Sequence, residues 1–489
     1  MLYIGIDLGT SAVKLLLMDG AGIIRNIVSK EYPVSYPQSG WSEQNPIDWY
    51  DNVISGVKEL IADFDGNDIA GIGLGGQMHG LVILDDKDEV IRPAILWNDG
   101  RTTEECDYLN NVIGKDKLSE YTGNISFTGF TAPKILWLKK HEPNNYKRIA
   151  KIMLPKDYIA YRLSGVFSTD VSDASGMLLF DVKGRKWSEQ MCDICGVTEK
   201  QLANVFESYE TVGTVRSEVA EELGISAKCI VVAGAGDNAA AAIGTGTVGN
   251  GRCNISLGTS GTIFISSKDF KVDANNALHS FCHADGNYHL MGCMLSAASC
   301  NKWWLEDILK TNDYEAEQSN MRALGENKVF FIPYLMGERS PHNDPLARGA
   351  FIGMSMDTAR SDMNQAVLEG VAFGLRDSLE VARKLGIKVD RTKICGGGAK
   401  SELWRKMIAN ILNVEVEVLE SEQGPGLGAA MLAAVACGEY ASVKEAVDSV
   451  VKIRKTEYPD SEIVAKYEER YNSFKEIYPT CKELFPKLL

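Results

Sequence analysis

The chain has 489 residues, 45% of them hydrophobic and 24% charged, with a formal net charge of -15. That length predicts two or three domains, and the composition is that of a soluble globular protein. The negative charge, with no basic stripe or tail, excludes a general nucleic-acid binder but not a phosphorylated ligand held by local backbone donors. No run reaches the length of a membrane span, and the start carries no basic, cleavable leader. Eleven cysteines, an odd and scattered set, read as thiols in a reducing cytoplasm.

Residues 2–8 and 12–18 are apolar and rich in strand formers, and they flank Gly9-Thr10-Ser11. The pattern predicts strand, tight turn, strand. Such a turn presents backbone N–H groups and two hydroxyls, an oxyanion cradle suited to phosphate. Asp7 at its mouth would repel bare phosphate but suits one carrying Mg²⁺. An ordinary hairpin is the alternative.

A strand over 23–28 follows, then Trp41-Ser42-Glu43-Gln44 and a helix over 46–63, opened by Pro46 and lined by Trp49, Val53, Val57 and Leu60. Residues 69–74 read as a buried strand that stops at Gly75-Gly76-Gln77-Met78-His79-Gly80. Strand ends are where α/β sheets place ligand contacts. Met78 offers a polyol an apolar face and His79 a donor or acceptor, although a lone loop histidine is more often no ligand. Strands over 81–84 and 90–96 lead to Trp97 and Asp99. An indole wall with polar neighbours suits a sugar; plain core is the alternative for Trp97.

Residues 127–223 read as mostly helical. Cys192 and Cys195 have redox spacing but lie in a helical segment, 189–195, without a thioredoxin-like context, and read as structural. A strand over 229–233 then ends in Gly234-Ala235-Gly236-Asp237-Asn238 before an alanine-rich helix. A dinucleotide fingerprint would need an acid about twenty residues on, and a pyrophosphate would meet Asp237 at the helix start. Asp237 makes better sense as a general base taking a hydroxyl proton, with a helix N-cap as the alternative. Asn238 beside it can bond a neighbouring hydroxyl.

Leu257-Gly258-Thr259-Ser260 repeats Leu8-Gly9-Thr10-Ser11 between two further apolar arms. The repeat points to a duplicated domain, each half bringing one phosphate hairpin to a shared cleft. His279, Cys282, His283 and His289 form a metal-like cluster but straddle strand-like and turn-like residues, so a structural role is favoured. Helices over 297–309 and 361–385 and a strand over 393–395 lead to Gly396-Gly397-Gly398-Ala399. That run lets a flat ligand approach the backbone, and with residues 424–428 would sandwich an adenine ring. A strand over 414–419, a helix from Gly424 to residue 437 and a charged helical tail beyond 441 complete the chain. No Gly-x-x-x-x-Gly-Lys-Ser/Thr loop is present, so any ATP is not held in the P-loop manner. Hairpins followed by alternating strands and helices in both halves mean α/β, with a hinge near 244–251.

Taken together the chain resembles the FGGY carbohydrate kinases, of the sugar kinase, actin and heat-shock ATPase superfamily. The resemblance spans nearly the whole length. It rests on residues 4–11, Trp41 to Gln44, Gly76 to Gly80, 93–101, 129–134, 154–158, Gly236 to Ala240, 256–261 and 334–343. It implies two ribonuclease H-like domains, residues 1–246 and 247–489, around a cleft. The implied activity is transfer of phosphate from ATP, with Mg²⁺, to a small sugar. Within the family the chain is most similar to members that phosphorylate D-xylulose at its 5-hydroxyl. Glycerol-specific members carry Arg-Glu where this chain has Met78-His79, which argues against glycerol.

By that resemblance Asp237 is the base and Asp7 helps place Mg²⁺, directly or through water. Met78, His79 and Asn238, with Trp97 and Asp99 nearby, contact the sugar. Gly9, Thr10 and Ser11 with Lys14, and Gly258, Thr259 and Ser260, hold the phosphates; Gly397, Gly398 and Ala399 hold the adenosine. Another ketose such as ribulose is the nearest alternative. An actin-like ATPase is the alternative of a different class, but it has no use for the Gln77-Met78-His79 loop. Neither nucleic acid nor membrane is an expected partner, and oligomeric state is open, a homodimer included.

Overall fold

The computed structural model describes residues 1–421 and 423–488. The opening hairpin is β1 (Leu2–Leu8) and β2 (Ala12–Asp19), antiparallel, with Leu8 opposite Val13 at the turn. β3 (Ile24–Glu31) adds antiparallel to β2. The chain then passes through α1 (Pro46–Leu60), whose Asn45 side chain caps the Ile47 N–H at 3.2 Å and whose Trp49, Val53, Val57 and Leu60 are buried. It returns as β4 (Ile69–Gly76), parallel to β1. After α2 (Pro155–Ser164), β5 (Ile230–Val232) lies parallel to β4 and leads to α3 (Asp237–Gly244).

The second half repeats this. β6 (Cys253–Leu257), β7 (Gly261–Ser267) and β8 (Tyr288–Met294) form the antiparallel part. Beyond α4 (Arg360–Lys384), β9 (Arg391–Cys395) pairs parallel with β6. α5 (Glu402–Leu412) connects it to β10 (Glu415–Leu419), parallel to β9, and α6 (Gly424–Ala436) follows. Both sheets therefore have the same central order, β5-β4-β1-β2-β3 and β10-β9-β6-β7-β8, with the same pattern of parallel and antiparallel pairs. The duplication expected from the repeated tetrapeptide is a duplication of topology.

Two stretches differ from expectation. The segment 127–223 interleaves its helices with short strands such as Lys151–Met153, Ser168–Asp170 and Asn204–Phe206. Strands of three residues are too short to display a period. In the tail, Ile453–Glu457 is a strand that completes an edge of the second sheet. It is mostly exposed and polar, so nothing in its pattern marks a buried face.

The two halves interlock through α6, which lies on the sheet of the first half. Gly5 of β1 and Gly73 of β4 are paired neighbours. A Cβ on Gly5 would come 2.0 Å from the Gly426 oxygen, and one on Gly73 would come 1.9 Å from the Ala429 oxygen. α3 crosses α6 equally closely: a Cβ on Gly428 would lie 1.9 Å from the Ala240 oxygen. At the equivalent places of the second sheet stand Asn254 and Lys393, also a pair. Between α3 and that sheet is a cavity of about 360 Å³, lined by Asp237, Asn238 and Ala241 on one side and by Asn254 and Ser256 on the other.

Candidate active site

The register of the first sheet assembles the site. Leu8 pairs with Gly76, and Gly76 pairs on its other side with Gly236. Three strand ends thus stop level, and the Gly9-Thr10-Ser11 turn, the Gln77-Met78-His79 loop and the Asp237-Asn238 pair emerge side by side. This is the carboxyl edge at which open α/β sheets bind ligands.

The first turn is held by side chains from four other segments. Gln44 Nε2 donates to the Thr10 oxygen at 2.7 Å, and Tyr32 donates its hydroxyl to the Gly9 oxygen at 2.5 Å. Gln77 Nε2 donates to Gln44 Oε1 at 3.1 Å. The exposed indole of Trp97 donates to Thr10 Oγ1 at 3.0 Å, so Trp97 stands against the Gly9-Thr10-Ser11 turn. Gln44 and Gln77 were within motifs visible in the sequence, but their bracing role was not. Asp99 stands in the same network as a buried acceptor. It is 1% exposed, and its carboxylate accepts from the Ser42 N–H and from Arg101 Nε and Nη2. It holds the loop that presents Trp97, with both oxygens engaged by protein groups.

Asp237 opens α3, half-buried. Its Oδ1 accepts from the Asn238 N–H at 2.7 Å and from Asn238 Nδ2 at 2.9 Å, leaving Oδ2 for a ligand. Burial pushes its carboxyl up to about 6, against the pull of those two bonds. Asp7 is pushed up to about 7, by burial first and then by the charge of Asp237, with Lys14 opposing. A pair of mutually repelling carboxylates beside an oxyanion cradle is a hard oxygen donor set that suits Mg²⁺ held by one or two acids plus phosphates. Lys14, opposite Asp7 in the hairpin, lines a crevice of about 30 Å³ with it.

His79 has a left-handed backbone, φ 68°, that turns its ring under Phe130, with centroids 4.6 Å apart. Its Nδ1 lies 2.7 Å from the Gly176 oxygen, which can only accept, so Nδ1 carries the proton and Nε2 is an acceptor. Burial lowers its pKa to about 3, so the imidazole is neutral. Met78 is buried against Gly236 and Gly176.

In the second half, the Gly258 oxygen accepts from the Ala298 N–H at 2.8 Å and the Thr259 oxygen from Ser299 Oγ at 2.7 Å. Gly396, φ 90°, packs directly on Leu257 and Gly258. Between these turns and residues Tyr314, Gln318 and Ser401 is a pocket of about 1010 Å³, lined also by Gly258, Thr259, Gly397 and Gly398. Its size suits a nucleoside. Ala399 faces the other way, into the cavity with Asp237, and exposed Ser260 is not in the pocket wall. Of residues 424–428, Gly424 and Pro425 share the cavity of Asp237 with Gly396 and Ala399 and do not line the larger pocket, while Gly428 packs on α3. Tyr314 and Gln318 line the pocket instead; no motif announced them.

His279 and Phe281 stack at 5.4 Å, and His289 stacks on Phe264 at 3.9 Å. Among the described residues no group of three or more His, Cys, Asp or Glu side chains converges on a metal position. Cys192 and Cys195 sit buried on the helix Glu189–Cys195, and burial pushes both thiols up, to about 11 and about 12. Among the described residues no helix is long and apolar enough to cross a membrane.

Residues 2–244 match the N-terminal domain of the FGGY family of carbohydrate kinases, and residues 253–437 match its C-terminal domain. The chain belongs to this family and is a carbohydrate kinase of the actin-like ATPase fold that uses ATP. It is 40% identical to the xylulose kinase of Escherichia coli strain K12, over 98% of each chain. A crystal structure of a kinase from Brucella ovis, given as a xyloylose kinase, superposes with a TM-score of 0.94 at 38% identity, over 99% of this chain and 100% of that one. A gluconate kinase from Lactobacillus acidophilus superposes with a TM-score of 0.95 at 28% identity, over 100% and 99%. Backbone shape is thus shared by kinases of different sugars, and the choice of sugar belongs to side chains.

Proposed function

We propose that the chain transfers the γ-phosphoryl group of Mg-ATP to the 5-hydroxyl of D-xylulose. The observation that carries this is the level ending of Leu8, Gly76 and Gly236, which sets a phosphate turn, the Met78-His79 loop and a carboxylate of raised pKa side by side. Similarity to xylulose kinases supports the choice of sugar.

In this reading Asp237 Oδ2 takes the proton of the 5-hydroxyl as that oxygen bonds to the γ-phosphorus and the bond to the β–γ bridging oxygen breaks, releasing ADP. Asn238 fixes Asp237 Oδ1 and leaves its own carbonyl oxygen for a sugar hydroxyl. Neutral His79 accepts a sugar O–H through Nε2, and Met78 covers an apolar face of the sugar. The amides of the two Gly-Thr-Ser turns bind phosphate oxygens, and the large pocket of the second half takes adenosine. Mg²⁺, held at Asp7 with the phosphates, neutralises their charge when bound. The domains divide near residue 246.

ADP release with Mg-ATP against D-xylulose, D-ribulose, L-ribulose, L-xylulose, gluconate and glycerol tests the reading. D-xylulose is expected to dominate. Dominance of another sugar would overturn the substrate, and a rate independent of sugar would overturn the mechanism.

A further inference from the structure

Beneath Asp237 lies a buried charge cluster that the chemistry above leaves unused. Lys156 of α2 is fully buried, with its ammonium 2.6 Å from Asp157, 2.9 Å from Asp170 and 3.7 Å from Asp173. Burial favours loss of its proton, but the three carboxylates outweigh burial and hold it as an ammonium. Asp170, also fully buried, uses its other oxygen to accept from the Ser172 N–H at 2.8 Å, Ser172 Oγ at 2.6 Å and Ser208 Oγ at 2.7 Å. Both of its oxygens are thus engaged, as a polar group this deep requires.

Both serines reach the turn that carries Asp237. Ser172 Oγ accepts the Gly236 N–H at 3.1 Å, and the Ser208 carbonyl accepts the Gly234 N–H at 3.0 Å. Because the Ser172 hydroxyl spends its proton on Asp170, its lone pair is aimed at Gly236. Four residues on, the same segment supplies the Gly176 oxygen that orients His79.

We infer that Asp170 is a positioning residue for Asp237, acting through Ser172 and Ser208 to fix the turn from which the carboxylate projects. The inference rests on the reading of Asp237 as the base. A small displacement of a base from its hydroxyl is felt in the chemical step far more than in binding. A role in packing alone would lower stability and spare kcat.

The test is steady-state kinetics of full-length Ser172→Ala beside Asp237→Asn. Expected for Ser172→Ala is a kcat lowered about tenfold, with the KM for sugar and for Mg-ATP unchanged. A normal kcat, or a loss carried by KM, overturns the inference. If Ser172→Ala does not fold, Ser208→Ala cuts the other serine from the same carboxylate and is read by the same criterion. The two readings fail separately. Near-normal turnover in Asp237→Asn removes the base and the anchor together, whereas a dead Asp237→Asn with an unimpaired Ser172→Ala removes only the anchor.

Discussion

Gly236 has its α-carbon against Met78: a Cβ built there would lie 2.8 Å from Met78 Cγ and 3.0 Å from its sulfur. The turn that ends in Asp237 and the loop that ends in His79 are therefore in direct contact. Gly236→Ala must push Met78 into the sugar space or tilt Asp237. Overpacking of this kind costs about 1–3 kcal/mol. The expected outcome is a sugar KM raised about tenfold, the equivalent of 1.4 kcal/mol, with the KM for Mg-ATP little changed. Equal effects on both would count against the contact.

The raised pKa of Asp237 sets a pH dependence. Its ionised form, the form that accepts a proton, is lost as pH falls through about 6. The acid limb of kcat/KM for sugar is expected near that value, not near 4. For stability the sign is opposite. A carboxylate whose folded pKa is raised costs stability as pH rises from its unfolded value of 3.8 through about 6. Asp237→Asn should melt higher than wild type at pH 8, and the advantage should vanish below about pH 4. A lower melting point at pH 8 would sink this account.

Trp97 and Thr10 give a probe of the phosphate turn. Trp97→Phe keeps a ring and removes the donor to Thr10 Oγ1. A neutral hydrogen bond of this kind contributes about 0.5–1.5 kcal/mol. The KM for Mg-ATP is expected to rise by a few-fold, measured at saturating sugar. A change confined to the sugar KM would instead make Trp97 a wall of the sugar site alone.

The seat of α6 gives a stability test. Gly73→Ala would place a methyl group 1.9 Å from the Ala429 oxygen, a backbone atom that cannot swing away. Destabilisation of about 3 kcal/mol is expected in chemical denaturation. Gly397→Ala is the control, because a Cβ there meets nothing within 4 Å. Equal stability of the two variants would show that the helix–sheet contact is looser than it stands here.

Much of the site was legible because its motifs are local. Strand, glycine-bearing turn and helix start are written in consecutive residues, and Gly9 to Ser11, Gln77 to His79 and Asp237 to Asn238 are each such a run. Asp99 shows the limit. Its neighbours in sequence suggested a sugar contact, but its partners, Ser42 and Arg101, occupy both oxygens. Tyr314 and Gln318 show the converse: they line the nucleoside-sized pocket from a short helix, Tyr314–Gln318, with no motif to mark it.

The sequence by itself determined the α/β class, the duplication and the order of the chemical loops, because strand formers, turn residues and apolar periods act over a few neighbouring positions. Tertiary structure decided which loops meet. Register brought Leu8, Gly76 and Gly236 level, close packing at Gly5 and Gly73 seated α6 on the other half, and Ser172 Oγ and the Ser208 carbonyl reached the turn before Asp237 from far along the chain. Those facts depend on pairings between residues tens to hundreds of positions apart, and a hydrophobic pattern records which face a residue takes but not what it meets there.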